Sequence, residues 1–316
     1  MSHIDIDQES AALAGAFDGF LDSLTPEMKS ASQTLIAKSG IGDGTSHSWN
    51  GRFKPLTLLY PILQTESMAS INIPLARDIA LYHQCLVVFG FIDDRVNDGQ
   101  IQLDEPEENF IEKLFSTASH GLSGSLTDCS GTAFKDTISQ IMRSCRQAQA
   151  KKYCAPEKFL PDPLSPHTCS LIGERALYGF ISVLSAARLN GTDVTGEHEL
   201  RRSFDWIATG LQWVDDIQDI GEDLRLDEEN LVLHLALGPG LDGYGLHKGG
   251  RAESEIVAEL AQAGILTDAV ELARKAFVRG AELNESIGAS QLASILRARL
   301  DVLDRLDAVI SSLGAL

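Results

Sequence analysis

Basic residues are the scarce class in this sequence: 26 Lys and Arg stand against 45 Asp and Glu, a formal net charge of −19 over 316 residues. A nucleic-acid binder needs cationic side chains to displace counterions from phosphates, and no such excess exists here. The same balance argues against docking on an anionic bilayer through a basic patch. Cysteine is sparse as well. Cys85, Cys129, Cys145, Cys154 and Cys169 are odd in number and lack C-x-x-C spacing, so reduced thiols and no zinc site are expected. Long apolar runs are missing: the longest, Cys85 to Ile92, falls far short of the ~20 residues of a membrane span. The opening MSHIDIDQES has neither a basic nor an apolar region of a signal peptide. The expectation is a cytoplasmic chain with no membrane span.

Strand-type alternation is also missing, and the apolar spacing is helical nearly throughout. Leu13, Phe17, Phe20, Leu21 and Leu24 recur at i, i+3 and i+4, and Pro26 restarts a second helix. The Gly-, Ser- and Asp-rich stretch 39–50 reads as a loop. Helices are predicted over about 55–63 and 74–98, the second stopped by Gly99, then over 107–118 and 132–153 with the loop GLSGSLTDCSG between them. Four of the ten prolines mark a break between Pro156 and Pro166. Helical patterns resume over 167–190 and 198–226, GPGLDGYGLHKGG (238–250) reads as a loop, and three helical runs close the chain. No repeat or interdomain linker is visible, so the fold class is all-α with residues 1–316 in one domain.

Two groups of carboxylates interrupt this pattern. FGFIDDRVNDG places Asp93, Asp94, Asn97 and Asp98 within about one and a half helical turns, directly after an apolar run. In LQWVDDIQDIGED, Asp215, Asp219 and Asp223 fall at i, i+4 and i+8, a carboxylate stripe on one helix face. Leu211, Val214, Ile217 and Ile220 hold the other face. Like charges at i, i+4 destabilise a helix by roughly 0.2–0.5 kcal/mol a pair, which a bound cation would offset. Oxygen-only ligands suit Mg²⁺. A solvated acidic face is the ordinary reading of a charge run, yet no Lys or Arg is interleaved between Arg202 and Arg225. DRVNDGQIQLDE mimics a calcium-binding EF-hand loop from Asp94, but Val96 at its third position offers no side-chain oxygen and no second loop pairs with it. His83 reads as a core histidine, since no second His shares metal-ligand spacing with it.

Two aspartate-rich helices about 120 residues apart in an all-helical chain resemble the trans-isoprenyl diphosphate synthase and class I terpene synthase superfamily. DDRVND looks like the first aspartate-rich motif and DDIQD like the second, with Gln212 three residues ahead of Asp215 as is common in that family. The stripe Asp215, Asp219, Asp223 has the spacing of the terpene synthase metal triad, with Asp in place of the usual Asn and Ser or Thr. GRFKPLTLL (51–59) resembles the N-terminal basic motif, and DLRLDEENLVLHLAL the segment after the second motif.

The resemblance implies a single helical bundle around a central cavity. It also implies a prenyl diphosphate substrate and three Mg²⁺ ions, held by Asp93, Asp94 and Asp98 on one wall and by Asp215, Asp219 and Asp223 facing them. The first motif reads equally as D-D-x-x-N from Asp93 or as D-x-x-x-D from Asp94. Arg175, Arg225 and Arg52 are the expected leaving-group cations, with Lys54 beside Arg52 and Gln212 also on the substrate. Val88 and Phe89 would form the cavity floor, with Tyr82, Phe180, Leu211 and Trp206 as further candidates.

Departures from the prenyl synthase pattern favour a lyase-type cyclisation over chain elongation. Gly51 stands where the first Lys of the basic motif is expected, and the paired arginines after the first motif are replaced by GQIQLDEPEEN. Glu174–Arg175 replaces a Lys–Thr pair, and Arg225 is the nearest cation after the second motif. A site for a second diphosphate would be poorly neutralised. Chain elongation remains an alternative, followed by head-to-head joining, which IQDIGEDLR also fits, and by a silent synthase subunit. Oligomeric state stays open, a homodimer included.

Overall fold

The structure, a computed structural model, describes residues 4–39, 55–97, 99–126, 129–150, 162–226, 230–237 and 252–314. Among these residues there are helices, turns and bends and no strand. The chain divides into two compact units: residues 1–150, 176–200 and 287–292 form the first, and 151–175, 201–286 and 293–316 the second.

The first unit is built on the helix Ile73–Asn97. Its central stretch from His83 to Gly90 is buried on every side, as the unbroken apolar run requires. Glu105–Gly124, Cys129–Ala150, Ile181–Leu189, Tyr60–Gln64 and Ile6–Asp22 pack around it. By length and composition this helix could cross a membrane, but two thirds of its most apolar stretch is buried inside the protein, as in a core helix. It ends at Asn97, and Gly99 takes a positive φ of 75° that lets the chain turn out of the helix. Asp104 then starts the next helix with a capping box: its carboxylate accepts from Glu107 N–H at 2.9 Å, and Glu107 accepts from Asp104 N–H at 3.0 Å. Lys38 neutralises the buried Glu107 at 2.9 Å.

His83 is a satisfied core histidine. Thr57 O can only accept, so Nε2–H donates to it at 2.7 Å, and Nδ1 accepts from the Ser182 hydroxyl at 2.7 Å. Burial pushes its pKa down to about 4, outweighing the Thr57 bond.

In the second unit the helix Ile265–Ser286 is central, against Leu231–Leu237, Glu253–Gln262 and Leu300–Gly314. It buries Leu266, Ala269, Val270, Ala273, Ala276, Phe277 and Gly280 at helical spacing. The helix Val194–Gln218 lies against it where Gly210 leaves room for the Phe277 ring; a Cβ there would come within 2.9 Å of ring atoms. Gly173 serves a similar purpose, since a Cβ at that position would lie 2.1 Å from Asp205 Oδ1. The helix Pro166–Arg175 can therefore approach Val194–Gln218 closely just before Arg175.

Candidate active site

The first aspartate group sits in the last turn of Ile73–Asn97, where the helix dipole presents its negative end and two carboxylates are least welcome. Part of that cost is met locally. Arg146, on the helix Cys129–Ala150, grips Asp93 with a two-pronged ion pair: Nε to Oδ2 at 2.8 Å and Nη2 to Oδ1 at 3.0 Å. The same guanidinium lies 5.6 Å from the centre of the Phe89 ring, which is tilted against Phe115 at 5.2 Å. Asp94 is half-buried beside this pair, Asn97 is exposed, and Asp98 lies outside the described residues. One turn before them, the Tyr178 ring closes on the backbone at Gly90; a Cβ there would meet ring carbons at 2.8 Å. Cys145 is buried below, its thiol pushed up to about 11 by desolvation.

The second group lies in the second unit, at the end of Val194–Gln218 and in the short helix Ile220–Leu226. The helix breaks at Asp219, yet Asp219 N–H still bonds to Asp215 O and Asp223 N–H to Asp219 O, both at 2.9 Å. The i, i+4, i+8 register therefore survives the break. Asp215 and Asp219 are exposed and Asp223 is half-buried. Asp216, by contrast, is buried and turned inward: it accepts from Gln212 Nε2 at 2.6 Å and from Leu231 N–H at 2.6 Å. Burial raises its pKa to about 7, against the lowering effect of the Leu231 and Gln212 bonds. Gln212 is thus engaged with Asp216.

Asn230 ties these pieces together. Its Oδ1 accepts from Val232 N–H at 2.9 Å and Leu233 N–H at 3.2 Å, capping the helix Leu231–Leu237. Its Nδ2 donates to Asp216 O at 2.6 Å and to Asp223 Oδ2 at 2.7 Å. One side chain therefore caps a helix and fixes the direction of a candidate metal ligand. Arg225 is exposed, 3.9 Å from Glu222, and Arg175 is half-buried at the end of its helix. Arg52 and Lys54 lie outside the described residues. Val88, Phe89 and Phe180 are buried, Tyr82 packs over Gly121, and Leu211 and Trp206 are half-buried in the second unit.

Among the described residues, no group of three or more His, Cys, Asp or Glu side chains is gathered closely enough to hold a metal. Three features bear on this. Both oxygens of Asp93 are taken by Arg146, and Asp216 faces the core. An i, i+4, i+8 stripe also spans about 12 Å along the axis, so its outer carboxylates must turn toward the middle to share one ion. The donor chemistry itself fits Mg²⁺, being carboxylate oxygen without nitrogen or sulfur.

No family model matches the chain, and no curated protein matches it significantly. Among solved structures it is similar to the geranylgeranyl pyrophosphate synthetase from the archaeon Geoglobus acetivorans. The TM-score is 0.66 at 16% identity, covering 94% of this chain and 98% of that one. The chain has the all-α isoprenoid synthase fold. On this fold Arg146 and Asn230 were not anticipated from sequence. Asn230 had a usable signal, an Asn immediately before the apolar run LVLHLAL, the ordinary start of a helix. Arg146 had none, because nothing in the sequence relates it to an aspartate 53 residues away.

Proposed function

We propose that this chain is a Mg²⁺-dependent enzyme that ionises an allylic prenyl diphosphate, such as farnesyl or geranylgeranyl diphosphate. Diphosphate is released, and the cation cyclises or rearranges within the protein. The cation ends by losing a proton to give a hydrocarbon, or by capturing water and losing a proton to give an alcohol. The observation that carries this reading is the Asp215–Asp219–Asp223 stripe, kept in register through a helix break and with Asp223 aimed by Asn230. A merely solvated acidic face has no need of such support.

Asp94, Asp215, Asp219 and Asp223 would hold the ions, with Asp93 and Asp98 beside Asp94. When bound, Mg²⁺ supplies Lewis acidity at the diphosphate oxygens. Arg175 and Arg225, with Arg52, would bind and neutralise the departing anion, and such a preorganised field is the usual source of the largest rate effect. Neither a covalent nucleophile nor a general base is required for that step. Val88 and Phe89, both buried, suit the apolar wall that keeps water from the cation. Gln212 serves the site through Asp216 in this reading, rather than by touching substrate.

Chain elongation is the second reading, favoured by the likeness to a geranylgeranyl pyrophosphate synthetase. The thin supply of cations for a second diphosphate weighs against it. The deciding experiment is incubation with geranyl, farnesyl and geranylgeranyl diphosphates and Mg²⁺, with and without isopentenyl diphosphate, followed by product analysis. A hydrocarbon or alcohol plus pyrophosphate supports cyclisation, a longer diphosphate supports elongation, and a doubled hydrocarbon would mean head-to-head joining. No pyrophosphate release under any condition would overturn the enzyme reading. Asp94→Ala and Asp215→Ala should each reduce release by at least ~10³-fold, the scale of losing a principal electrostatic contact.

A further inference from the structure

We propose that Arg146 competes with the divalent cation for Asp93, and that once displaced it becomes a cation for the diphosphate. This rests on the functional reading above. The two-pronged contact at 2.8 and 3.0 Å engages both oxygens of Asp93. The Asp93 side chain is only 15% exposed, so little of that carboxylate remains open to another partner. A metal approaching Asp93 therefore meets oxygens that already carry the Arg146 guanidinium charge, and it competes with that cation for them.

The arginine is placed to survive that exchange. Its side chain is 53% exposed, and its guanidinium rests against the Phe89 ring, which keeps it at the site after Asp93 lets go. A freed guanidinium carries five donors in a fork that suits phosphate as well as carboxylate. Metal and diphosphate then help one another: the cation releases the arginine, and the anion gives it a new partner. By linkage the effect is reciprocal. Asp93 in this scheme is the resting counter-ion of Arg146, and Asp94 carries the permanent share of metal binding.

Binding of Mn²⁺ to the full chain, followed by electron paramagnetic resonance of the free ion with and without inorganic pyrophosphate and corrected against a protein-free blank, tests this directly. In the wild type, pyrophosphate should tighten Mn²⁺ binding by roughly tenfold or more, equivalent to at least about 1.4 kcal/mol of coupling. Arg146→Gln should bind Mn²⁺ alone about tenfold more tightly than wild type. Its coupling to pyrophosphate should fall close to onefold. Arg146→Lys keeps the charge without the fork and should lie between the two. Asp93→Asn, titrated with pyrophosphate in the absence of metal, should bind the anion more tightly than wild type because its arginine is already released.

Unchanged Mn²⁺ affinity and coupling in a folded Arg146→Gln, or unchanged pyrophosphate affinity in Asp93→Asn, would overturn the proposal. If Arg146→Gln does not fold, Arg146→Lys decides alone: Mn²⁺ affinity equal to wild type refutes the competition. Normal turnover with unaltered coupling in these variants would remove this inference and leave the enzyme reading intact. A wild type that neither turns over nor binds Mn²⁺ with pyrophosphate would remove both.

Discussion

A histidine whose ring nitrogens are both satisfied and whose surroundings exclude water is held in its neutral form by the fold. His83 meets both conditions through Ser182 and Thr57, and its pKa falls from 6.5 to about 4. Between those values the unfolded chain binds a proton that the folded chain does not. Stability from this residue is therefore complete above pH 6.5, is lost as pH falls toward 4, and changes no further below it. The loss amounts to about 3 kcal/mol, from ~1.4 kcal/mol per pKa unit. His83→Gln should lower the urea midpoint at pH 7, by about 1–3 kcal/mol of lost bonding. It should also flatten the decline between pH 6.5 and 4.5 relative to wild type. Parallel pH curves for the two proteins would show that some other group sets the acid sensitivity.

At the scale of elements, the sequence and the structure part company where a helix ends for a tertiary reason. The helix expected over 74–98 is found as Ile73–Asn97, because an apolar run and a glycine stop are local signals. The stretch expected as one helix over 167–190 is instead Pro166–Arg175, a short turn at Leu177–Gly179, and Ile181–Leu189. No Pro marks that break; Tyr178 closes over Gly90 of a distant helix at that point. Likewise the stretch expected over 198–226 begins at Val194 and breaks at Asp219, and the closing part of the chain has four helices where three were expected. The loops expected at 39–50 and 238–250 lie outside the described residues apart from Ser39. The aspartate stripe was legible because its period is local. Its support by Asn230 was not, since that depends on how Leu231–Leu237 returns to Asp216.

Asn230 therefore offers a test of whether the second group is built or incidental. Aspartate caps a helix as well as asparagine, so Asn230→Asp would be harmless if capping were the whole role. It would, however, lose the donor to Asp223 and to Asp216 O and place a carboxylate in their stead. Asn230→Asp should thus cost at least as much as Asn230→Ala, about 1–3 kcal/mol in thermal or urea melts. An Asn230→Asp protein as stable as wild type would reduce the residue to a cap.

At the scale of the whole molecule, the course of the chain constrains how it can unfold. It passes between the two compact units at 150/151, 175/176, 200/201, 286/287 and 292/293, so neither unit is a continuous segment. The passage at 200/201 falls inside the unbroken helix Val194–Gln218. Melting one unit would have to fray that helix and release the short segments inserted from the other. We therefore propose that residues 1–316 unfold as one cooperative domain, and calorimetry should give a single transition whose calorimetric and van't Hoff enthalpies agree. Mg²⁺ with pyrophosphate at ~100-fold above their dissociation constants should add about 2.7 kcal/mol of stability and raise that transition by several degrees without splitting it. Asp94→Ala and Asp215→Ala should each abolish the shift, because the ligands are proposed to need both aspartate groups. Two separated transitions, with only one of them moved by the ligands, would contradict the single domain and assign binding to one unit alone.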